Sequence, residues 1–133
     1  MSSFALQLAA FAEKAGENAN LVVRKVAIDT LAKVIHRSPV DTGRFRGNWA
    51  LSVGAPEIVQ REVVDPTGAT TIRQEGAKLA TYQVGPSVFL TNSLPYAIRL
   101  ENGYSMQAPS GMVKLTVAEF QALVDQAAKE IPK

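Results

Sequence analysis

The segment SPVDTGRFRGNW, from Ser38 to Trp49, marks the place where the chain is predicted to change from helix to sheet. Pro39 ends the preceding helix, because the residue before a proline avoids the helical region of backbone space. Asp41 or Thr42 can cap a following helical turn, and Gly43 relaxes the backbone at that point. The segment is therefore interpreted as a structural corner that joins a helix to a strand.

Two aromatic and two basic side chains occupy the second half of this segment. Phe45 and Trp49 lie four residues apart, so we expect them to face the same side and to pin the turn to the sheet. Arg44 and Arg46 are then expected to point away, toward solvent or toward carboxylates of a neighbouring chain, with which arginine forms forked hydrogen bonds. Both interpretations of the arginines, a solvated face and an interface, stay open.

The sequence before the corner predicts a long amphipathic helix from about Ser3 to Arg37. Its apolar residues recur mostly at three- and four-residue steps, and Ser2 or Ser3 can cap its start. Gly16 and Asn18 weaken its middle and allow a kink. An unbroken helix of this length would reach about 50 Å. Because that exceeds what a domain of this size needs, the overhang favours contact with a partner subunit.

The sequence after the corner predicts strands separated by turns. Residues 49–53 alternate at period two and residues 57–64 do so less cleanly, with a Gly-Ala-Pro break between them. We expect these two segments to pair as adjacent antiparallel strands. Residues 70–82 predict a modest helix, and residues 87–92 predict a third strand.

Two helical segments are predicted near the C-terminus. Pro95 to Leu100 indicates a short helical turn, since proline is favoured at the first helical position. Thr116 and Glu119 fit a capping box at the start of a C-terminal helix that ends at Ile131-Pro132. The whole chain, residues 1–133, is then a single α+β domain with a long N-terminal helix, a small antiparallel sheet, a short middle helix and a C-terminal helix.

Composition excludes several classes of function. The 133-residue chain is 47% hydrophobic and 20% charged, which is typical of an ordinary globular domain. It has no cysteine and one histidine, which excludes disulfides, thiol catalysis and metal sites built from several such ligands. No apolar run approaches the roughly 20 residues of a membrane span, and no signal peptide is expected. We therefore predict no metal, no cofactor and no membrane partner.

Catalytic motifs are likewise missing from the sequence. His36 is the only imidazole, and no G-x-S-x-G or phosphate-cradling glycine loop accompanies it. We interpret His36 as a residue of the last helical turn, where a partial positive charge complements the helix dipole. One alternative is a small nucleic-acid-binding or ribonuclease-like protein that uses His36, Arg44 and Arg46, and another is a nucleic-acid binder that uses the two arginines with Trp49. The net charge of +2 offers either only weak attraction to nucleic acid.

A second conspicuous segment, NSLPYAIRLENGYSMQAPSGM, runs from Asn92 to Met112. Its glycines, prolines and asparagines predict a turn-rich excursion rather than a core element. Tyr96 and Tyr104 combine an apolar body with a polar tip, as interfaces favour. An ordinary surface loop and a contact with another chain are both compatible with this pattern.

Together the two segments resemble the neck or tail-completion family of tailed bacteriophages, the head–tail joining proteins of lambdoid siphophages, which are sometimes labelled minor tail proteins. The resemblance covers about residues 20–125. It is carried by the P-V-D-T-G core that begins at Pro39 and by the pattern N-x-x-P-Y-A…L-E-x-G-x-S-x-Q-A-P-x-G-M that begins at Asn92. The segment from Pro56 to Pro86 carries no matching motif.

The resemblance implies a structural virion protein, assembled in the host cytoplasm, that forms a ring of commonly six copies at the head–tail junction. The ring would join the head connector to the tail tube, in a tail-completion or tail-terminator role. Its partners would be other copies of the chain and the neighbouring neck and tail-tube proteins, with DNA only in transit through the lumen. The resemblance implies no catalytic, cofactor-binding or metal-binding residue.

The positions that match the family motifs are expected to be fold-defining corners and subunit contacts, with Arg44 and Arg46 as further contact candidates. These matching positions are Pro39, Asp41, Thr42, Gly43, Asn92, Pro95, Tyr96, Ala97, Glu101, Gly103, Gln107, Ala108, Pro109, Gly111 and Met112. We expect the loop from Asn92 to Met112 to meet a neighbouring subunit. The long N-terminal helix is expected on the outside of the ring or between subunits.

Overall fold

The structure, a computed structural model, describes residues 2–6, 19–83, 85–103, 105–108 and 110–130. Helices pack with a small antiparallel sheet, which confirms the predicted α+β class. The strands are β1 (Ser2–Leu6), β2 (Trp49–Val53) and β3 (Val88–Asn92). The helices are α1 (Ala19–Arg37), α2 (Arg44–Gly47), α3 (Ala69–Gly76, followed by a 3₁₀ turn at Ala77–Leu79), α4 (Ala97–Glu101), α5 (Val113–Ala118) and α6 (Phe120–Glu130).

The described strands form one sheet in the order β1–β3–β2, and both pairings are antiparallel. In the β2–β3 pair, Trp49 lies opposite Asn92 and Val53 lies opposite Val88. The strands predicted at 49–53 and 87–92 are therefore confirmed. Because Trp49 begins β2 and Asn92 ends β3, the two motif segments leave the sheet at the same end.

The prediction that residues 57–64 pair with β2 as a neighbouring strand is wrong. Residues 57–64, all of which the structure describes, do not form a strand. Arg61 is instead held by one side chain, because its N–H donates to Asn48 Oδ1 at 2.7 Å and its carbonyl accepts from Asn48 Nδ2 at 3.1 Å. The place of a ladder partner on the outer side of β2 is taken by side chains from α3 and the residues after it, including Glu75 and Lys78.

The predicted start of the N-terminal helix is also wrong. Residues 2–6 form β1, so neither Ser2 nor Ser3 caps a helix. Over five residues an alternating pattern cannot be distinguished from a helical one, and pairing with β3 decides the outcome. The part of the predicted helix that the structure describes is α1, from Ala19 to Arg37, which would span about 28 Å. Gly16 and Asn18 lie outside the described residues.

Helix α1 supplies one side of the core and the sheet supplies the other. The apolar face of α1 packs against α3 and α6. The apolar residues exposed by 1% or less are Val23, Val26, Ala27, Leu31, Val34 and Ile35 in α1, with Trp49, Ala50, Leu51, Val88 and Leu90 in the sheet. Within the described part of the chain, no helix has the length and apolarity that crossing a membrane requires.

The predicted C-terminal helix is two helices in the structure, of which α5 begins before the predicted capping box and α6 begins after it. Helix α5 starts at Val113, and Thr116 lies inside it, buried, with its hydroxyl donating to the Met112 carbonyl at 2.8 Å. Glu119 follows the end of α5 at its C-cap position, and its carboxylate forms an ion pair with Arg37 of α1 at 2.7 Å instead of completing a capping box. The predicted middle helix and the short turn after Pro95 are confirmed as α3 and α4.

Candidate functional site

The two motif segments meet across one open groove of about 590 Å³, called here the motif groove. Residues 39–45 form one wall, and Tyr96, Leu100, Ser105 and Gln107 form the other. The sequence singled out both segments separately, and the fold places them side by side.

The first wall is anchored by the end of α1. Ser38 Oγ donates to the Val34 carbonyl at 2.7 Å and accepts a hydrogen bond from Trp49 Nε1 at 2.8 Å. Trp49 is fully buried, and Phe45 packs edge-on against it with the ring centroids 6.0 Å apart. The predicted pairing of Phe45 with Trp49 is confirmed, and it fixes the helix end to the first residue of β2.

A glycine is required at position 43, in the turn that precedes α2. Its φ of +98° lies in the left-handed region, and a Cβ there would come within 2.5 Å of the Pro66 nitrogen. Gly43, rather than Asp41 or Thr42, occupies the N-cap position of α2. Thr42 Oγ1 still accepts a hydrogen bond from the Arg44 N–H at 3.2 Å, whereas Asp41 is exposed. The backbone geometry therefore selects the glycine.

Arg46 does not point away from the corner, and that expectation is wrong. Its Nε donates to the Ser38 carbonyl at 3.0 Å, Nη1 to the Pro66 carbonyl at 2.8 Å, and Nη2 to the His36 carbonyl at 3.0 Å. Two of these acceptors lie at the end of α1, where carbonyls lack helical partners. A planar guanidinium suits this role, since its donors are held in a fixed fork. Arg46 is therefore part of the corner itself.

Arg44 lines the motif groove and is less firmly held. Its Nη2 lies 3.8 Å from Glu62 Oε1, and the Glu62 side chain is 93% exposed. Such a solvated pair contributes little stability. Among the described residues, Arg44 Nε has no hydrogen-bond partner although it is buried. Of the two arginines, Arg44 is the one that remains available for a contact.

The second wall is held by Asn92 and by aromatic packing. Asn92 is fully buried, donates from Nδ2 to the Phe45 carbonyl at 2.9 Å and accepts at Oδ1 from the Leu94 N–H at 3.2 Å. Tyr96 packs against Phe45 with the ring centroids 5.9 Å apart and is 37% exposed. Asn92 is thus a structural residue, while Tyr96 presents part of its ring to the groove.

Glu101 organises the loop that follows the second wall. Its carboxylate accepts hydrogen bonds at 2.9 Å from three successive backbone N–H groups, those of residues 112, 113 and 114 at the start of α5. A carboxylate is favoured there because the first N–H groups of a helix lack internal partners. Gly111 has a φ of +85°, and a Cβ on it would lie 2.5 Å from the Glu101 carbonyl oxygen. Met112 is fully buried.

The candidate site residues therefore divide into two groups. Those that stabilise the chain's own fold, by buried contacts or hydrogen bonds, are Gly43, Arg46 and Asn92 at the corner and Glu101, Gly111 and Met112 at the start of α5. Those that line the motif groove are Pro39, Asp41, Thr42, Arg44, Tyr96 and Gln107. Pro95 is exposed beside the groove, and Gly103 ends α4 with its N–H donating to the Leu100 carbonyl at 3.1 Å. Tyr104 and Pro109 lie outside the described residues.

The residues of the nuclease alternative are divided between two places. His36 lies in the last turn of α1, as predicted, and is exposed. It lines a smaller pocket of about 360 Å³ together with Arg46, whose nitrogens are engaged with backbone carbonyls. Arg44 lines the motif groove instead. Trp49 is fully buried, so its ring does not reach a ligand.

Sequence reasoning missed one feature of this region, a charged cluster beside β2 that includes Arg61, Glu75 and Lys78. The pair Glu75 and Lys78, three residues apart on a predicted helix, is the local signal that was available for the cluster. No local signal was available for the meeting of the two groove walls, since residues 39–45 and Tyr96 are distant in sequence.

Comparison with known proteins adds no relative: no family model, curated protein or solved structure matches the chain. Among the residues that the structure describes, no three histidine, aspartate or glutamate side chains gather as metal ligands would. The features of the chain that bear on its function are therefore the motif groove and the two segments that line it.

Proposed function

We propose that this chain is a structural virion protein of a tailed-phage neck. In this role it forms a ring, of commonly six copies, that joins the head connector to the tail tube as a tail-completion or tail-terminator protein. The observation that supports this best is the motif groove, since the two segments that resemble the family lie on its opposite walls.

The groove has the chemistry of a subunit contact. Its walls include the aromatic rings of Phe45 and Tyr96 and the weakly paired cation Arg44. Tyrosine and arginine are enriched in interfaces, and a concave apolar surface with a few polar groups suits insertion of a neighbour's side chains. A ring needs two different faces on each subunit, and the groove supplies one of them.

Two exposed apolar side chains that do not line the groove are candidates for the second contact face of each subunit. Met106 is 97% exposed and Ile98 is 48% exposed. Contact with the neighbouring neck and tail-tube proteins would cover further surface. The small net charge of +2 suits a ring through which DNA passes with weak contact. The nuclease alternative has less support, because Arg46 is engaged by the corner.

Light scattering tests the ring directly. The mass of the 14.3 kDa chain is measured over a range of concentrations, alone and with the neighbouring neck proteins. A discrete mass of several chains is expected and sets the copy number. A chain that stays monomeric with and without those proteins contradicts the proposal and calls for assays of nuclease activity and nucleic-acid binding.

A matched pair of variants connects the ring to the groove. Tyr96→Asp places a charge on the groove wall and should prevent ring formation while circular dichroism shows the chain to be folded. Ile58→Asp places the same charge on another exposed apolar position, outside the groove, and should leave the ring intact. Equal effects of the two substitutions would contradict the assignment of the groove as a contact.

A further inference from the structure

The outer edge of β2 is occupied by charged side chains rather than by a strand. On its inner side β2 pairs with β3. On its outer side the Leu51 N–H donates to Glu75 Oε1 at 3.0 Å, and the Leu51 carbonyl accepts from Lys78 Nζ at 3.2 Å. The Trp49 carbonyl accepts from Arg61 Nη1 at 3.5 Å. Both ladder groups of the central residue are thus satisfied by side chains.

These side chains form a closed ionic network, called here the edge cluster, of Glu57, Arg61, Glu75 and Lys78. Glu75 is paired with Lys78 at 2.7 Å and with Arg61 at 3.3 Å, and its side chain is only 7% exposed. Glu57 completes the network at 3.0 Å from Arg61 and 3.4 Å from Lys78. The two carboxylates and the two cations of the edge cluster balance in charge, and together they cover the outer edge of β2.

An exposed strand edge is a template for another chain, because its row of unpaired N–H and carbonyl groups can accept a further strand. Charged side chains at the edge oppose this addition. A strand arriving at Leu51 would have to displace Glu75 from its hydrogen bond and leave that carboxylate buried with fewer partners. Removing a partner from a buried charge is costly, so the displacement is unfavourable.

We infer that the edge cluster prevents a second copy of this chain from adding its own β2 to the sheet. The two β2 edges are identical, and antiparallel pairing about a two-fold axis would join them. The edge cluster prevents this β2–β2 pairing, so copies of the chain can associate only through other surfaces. This inference is independent of the proposed ring, because it concerns which surface is excluded from contact.

A purely structural role for the cluster has a different consequence. If the four side chains only fasten α3 and the following turn to β2, their removal lowers the free energy of unfolding without causing association. The test therefore needs a measurement of β2–β2 contact in addition to one of stability.

The test variant is Glu75→Ala combined with Lys78→Ala, which frees both ladder groups of Leu51 without changing the net charge. Its matched control is Lys25→Ala combined with Asp29→Ala, which removes an ion pair of the same charge on α1. Val53→Cys in each background gives a single thiol, because the chain has no cysteine, and it lies at the exposed end of β2. Pyrene attached there emits as an excimer only when two labels touch.

The test variant should show excimer emission that rises with protein concentration and a mass about double that of its parent form. The parent sequence and the control variant should show neither change. Excimer emission measures the β2 edges alone, so the result is distinguishable from success or failure of the ring. A folded test variant without excimer emission overturns the inference, and so does excimer emission from the parent sequence.

If the double substitution unfolds the chain, a milder variant tests whether the edge cluster prevents β2–β2 pairing. Lys78→Met keeps Glu75 as the acceptor for the Leu51 N–H and removes only the donor to the Leu51 carbonyl. It should give a smaller, concentration-dependent rise in excimer emission. The absence of any rise in this folded variant overturns the inference.

Discussion

The side chain of Gln107 and the backbone of Val40 form a reciprocal pair of hydrogen bonds across one end of the motif groove. Gln107 Nε2 donates to the Val40 carbonyl, and Gln107 Oε1 accepts from the Val40 N–H, each at 2.9 Å. The amide thus imitates the pairing of one strand residue with another. Because the partners lie 67 residues apart, this contact connects the two walls directly.

Gln107→Ala should loosen that connection. Loss of two hydrogen bonds at a solvent-accessible position should lower the free energy of unfolding by about 1 kcal/mol. Urea denaturation followed by the fluorescence of Trp49, the only tryptophan, measures the change. Gln121→Ala is the control, because among the described residues Gln121 donates a hydrogen bond to Asp125 on the same exposed helix, and it should have little effect. A loss no larger than that of the control would show that the connection does not stabilise the fold.

Gly43→Ala should be far more damaging than Gly54→Ala. Both glycines have positive φ, at +98° and +89°, so both variants carry the backbone strain of a left-handed residue. At Gly43 the new Cβ meets the Pro66 backbone, whereas no atom of the described residues lies within 4 Å of a Cβ at Gly54. The difference in unfolding free energy should be about 2 kcal/mol, the cost of overpacking. Equal losses in thermal denaturation would contradict the close packing of the corner.

Glu101→Gln should destabilise the start of α5. The neutral amide retains one acceptor oxygen, and its NH₂ group faces a backbone donor that the carboxylate had satisfied. Since hydrogen bonds to charged groups are the stronger ones, we expect a loss of about 2 kcal/mol in chemical denaturation. Glu62→Gln, at a side chain that is 93% exposed, removes the same charge and should change stability little. A loss at Glu101 that matches the control would contradict its role as a cap.

Asp65 should make stability depend on pH at the acidic end. Burial by itself raises the pKa of its carboxyl, but hydrogen bonds from the Thr71 hydroxyl and N–H lower it. With Gly68 and the charge of Arg73 acting in the same direction, the pKa in the folded chain lies below the ordinary value of 3.8. The unfolded state then binds the proton more readily, so acid favours unfolding. The stabilisation is complete above about pH 3.8 and is lost as the pH falls through the lower folded value.

Asp65→Asn should reveal that contribution. At pH 7 the variant should be less stable than the parent chain by about 1 kcal/mol, through weaker hydrogen bonds to Thr71. The difference should shrink as the pH is lowered below 3.8. Asp41→Asn is the control, because Asp41 is exposed. A difference that stays constant down to the lowest pH would show that the charge of Asp65 does not stabilise the fold.

Local patterns in the sequence predicted the elements whose causes are local. Pro39 marked the end of α1, the alternation at 49–53 marked β2, and the spacing of Phe45 and Trp49 predicted their packing. Strand pairing is decided by contacts between distant residues. The segment at 57–64 alternates well enough for a strand, yet side chains from α3 and the turn after it occupy the edge where it would pair.

Part of the candidate site could be predicted from the sequence, because local patterns indicate its segments but not the contacts between them. Both motif segments could be singled out from their composition, but their meeting at one groove depends on the fold. The local pattern around Arg46 indicates solvent or a neighbour, because it cannot show that three carbonyls from two segments converge on this side chain. The bond between Gln107 and Val40 has no sequence signal, since nothing in either segment indicates the other.

Electron cryomicroscopy of the assembled ring tests the central claim most directly. In a map that resolves side chains, the motif groove should be covered by the neighbouring subunit, with Tyr96 and Arg44 in contact with it. A ring in which residues 39–45 and Tyr96 face solvent or the lumen would contradict the assignment of this groove as the subunit contact.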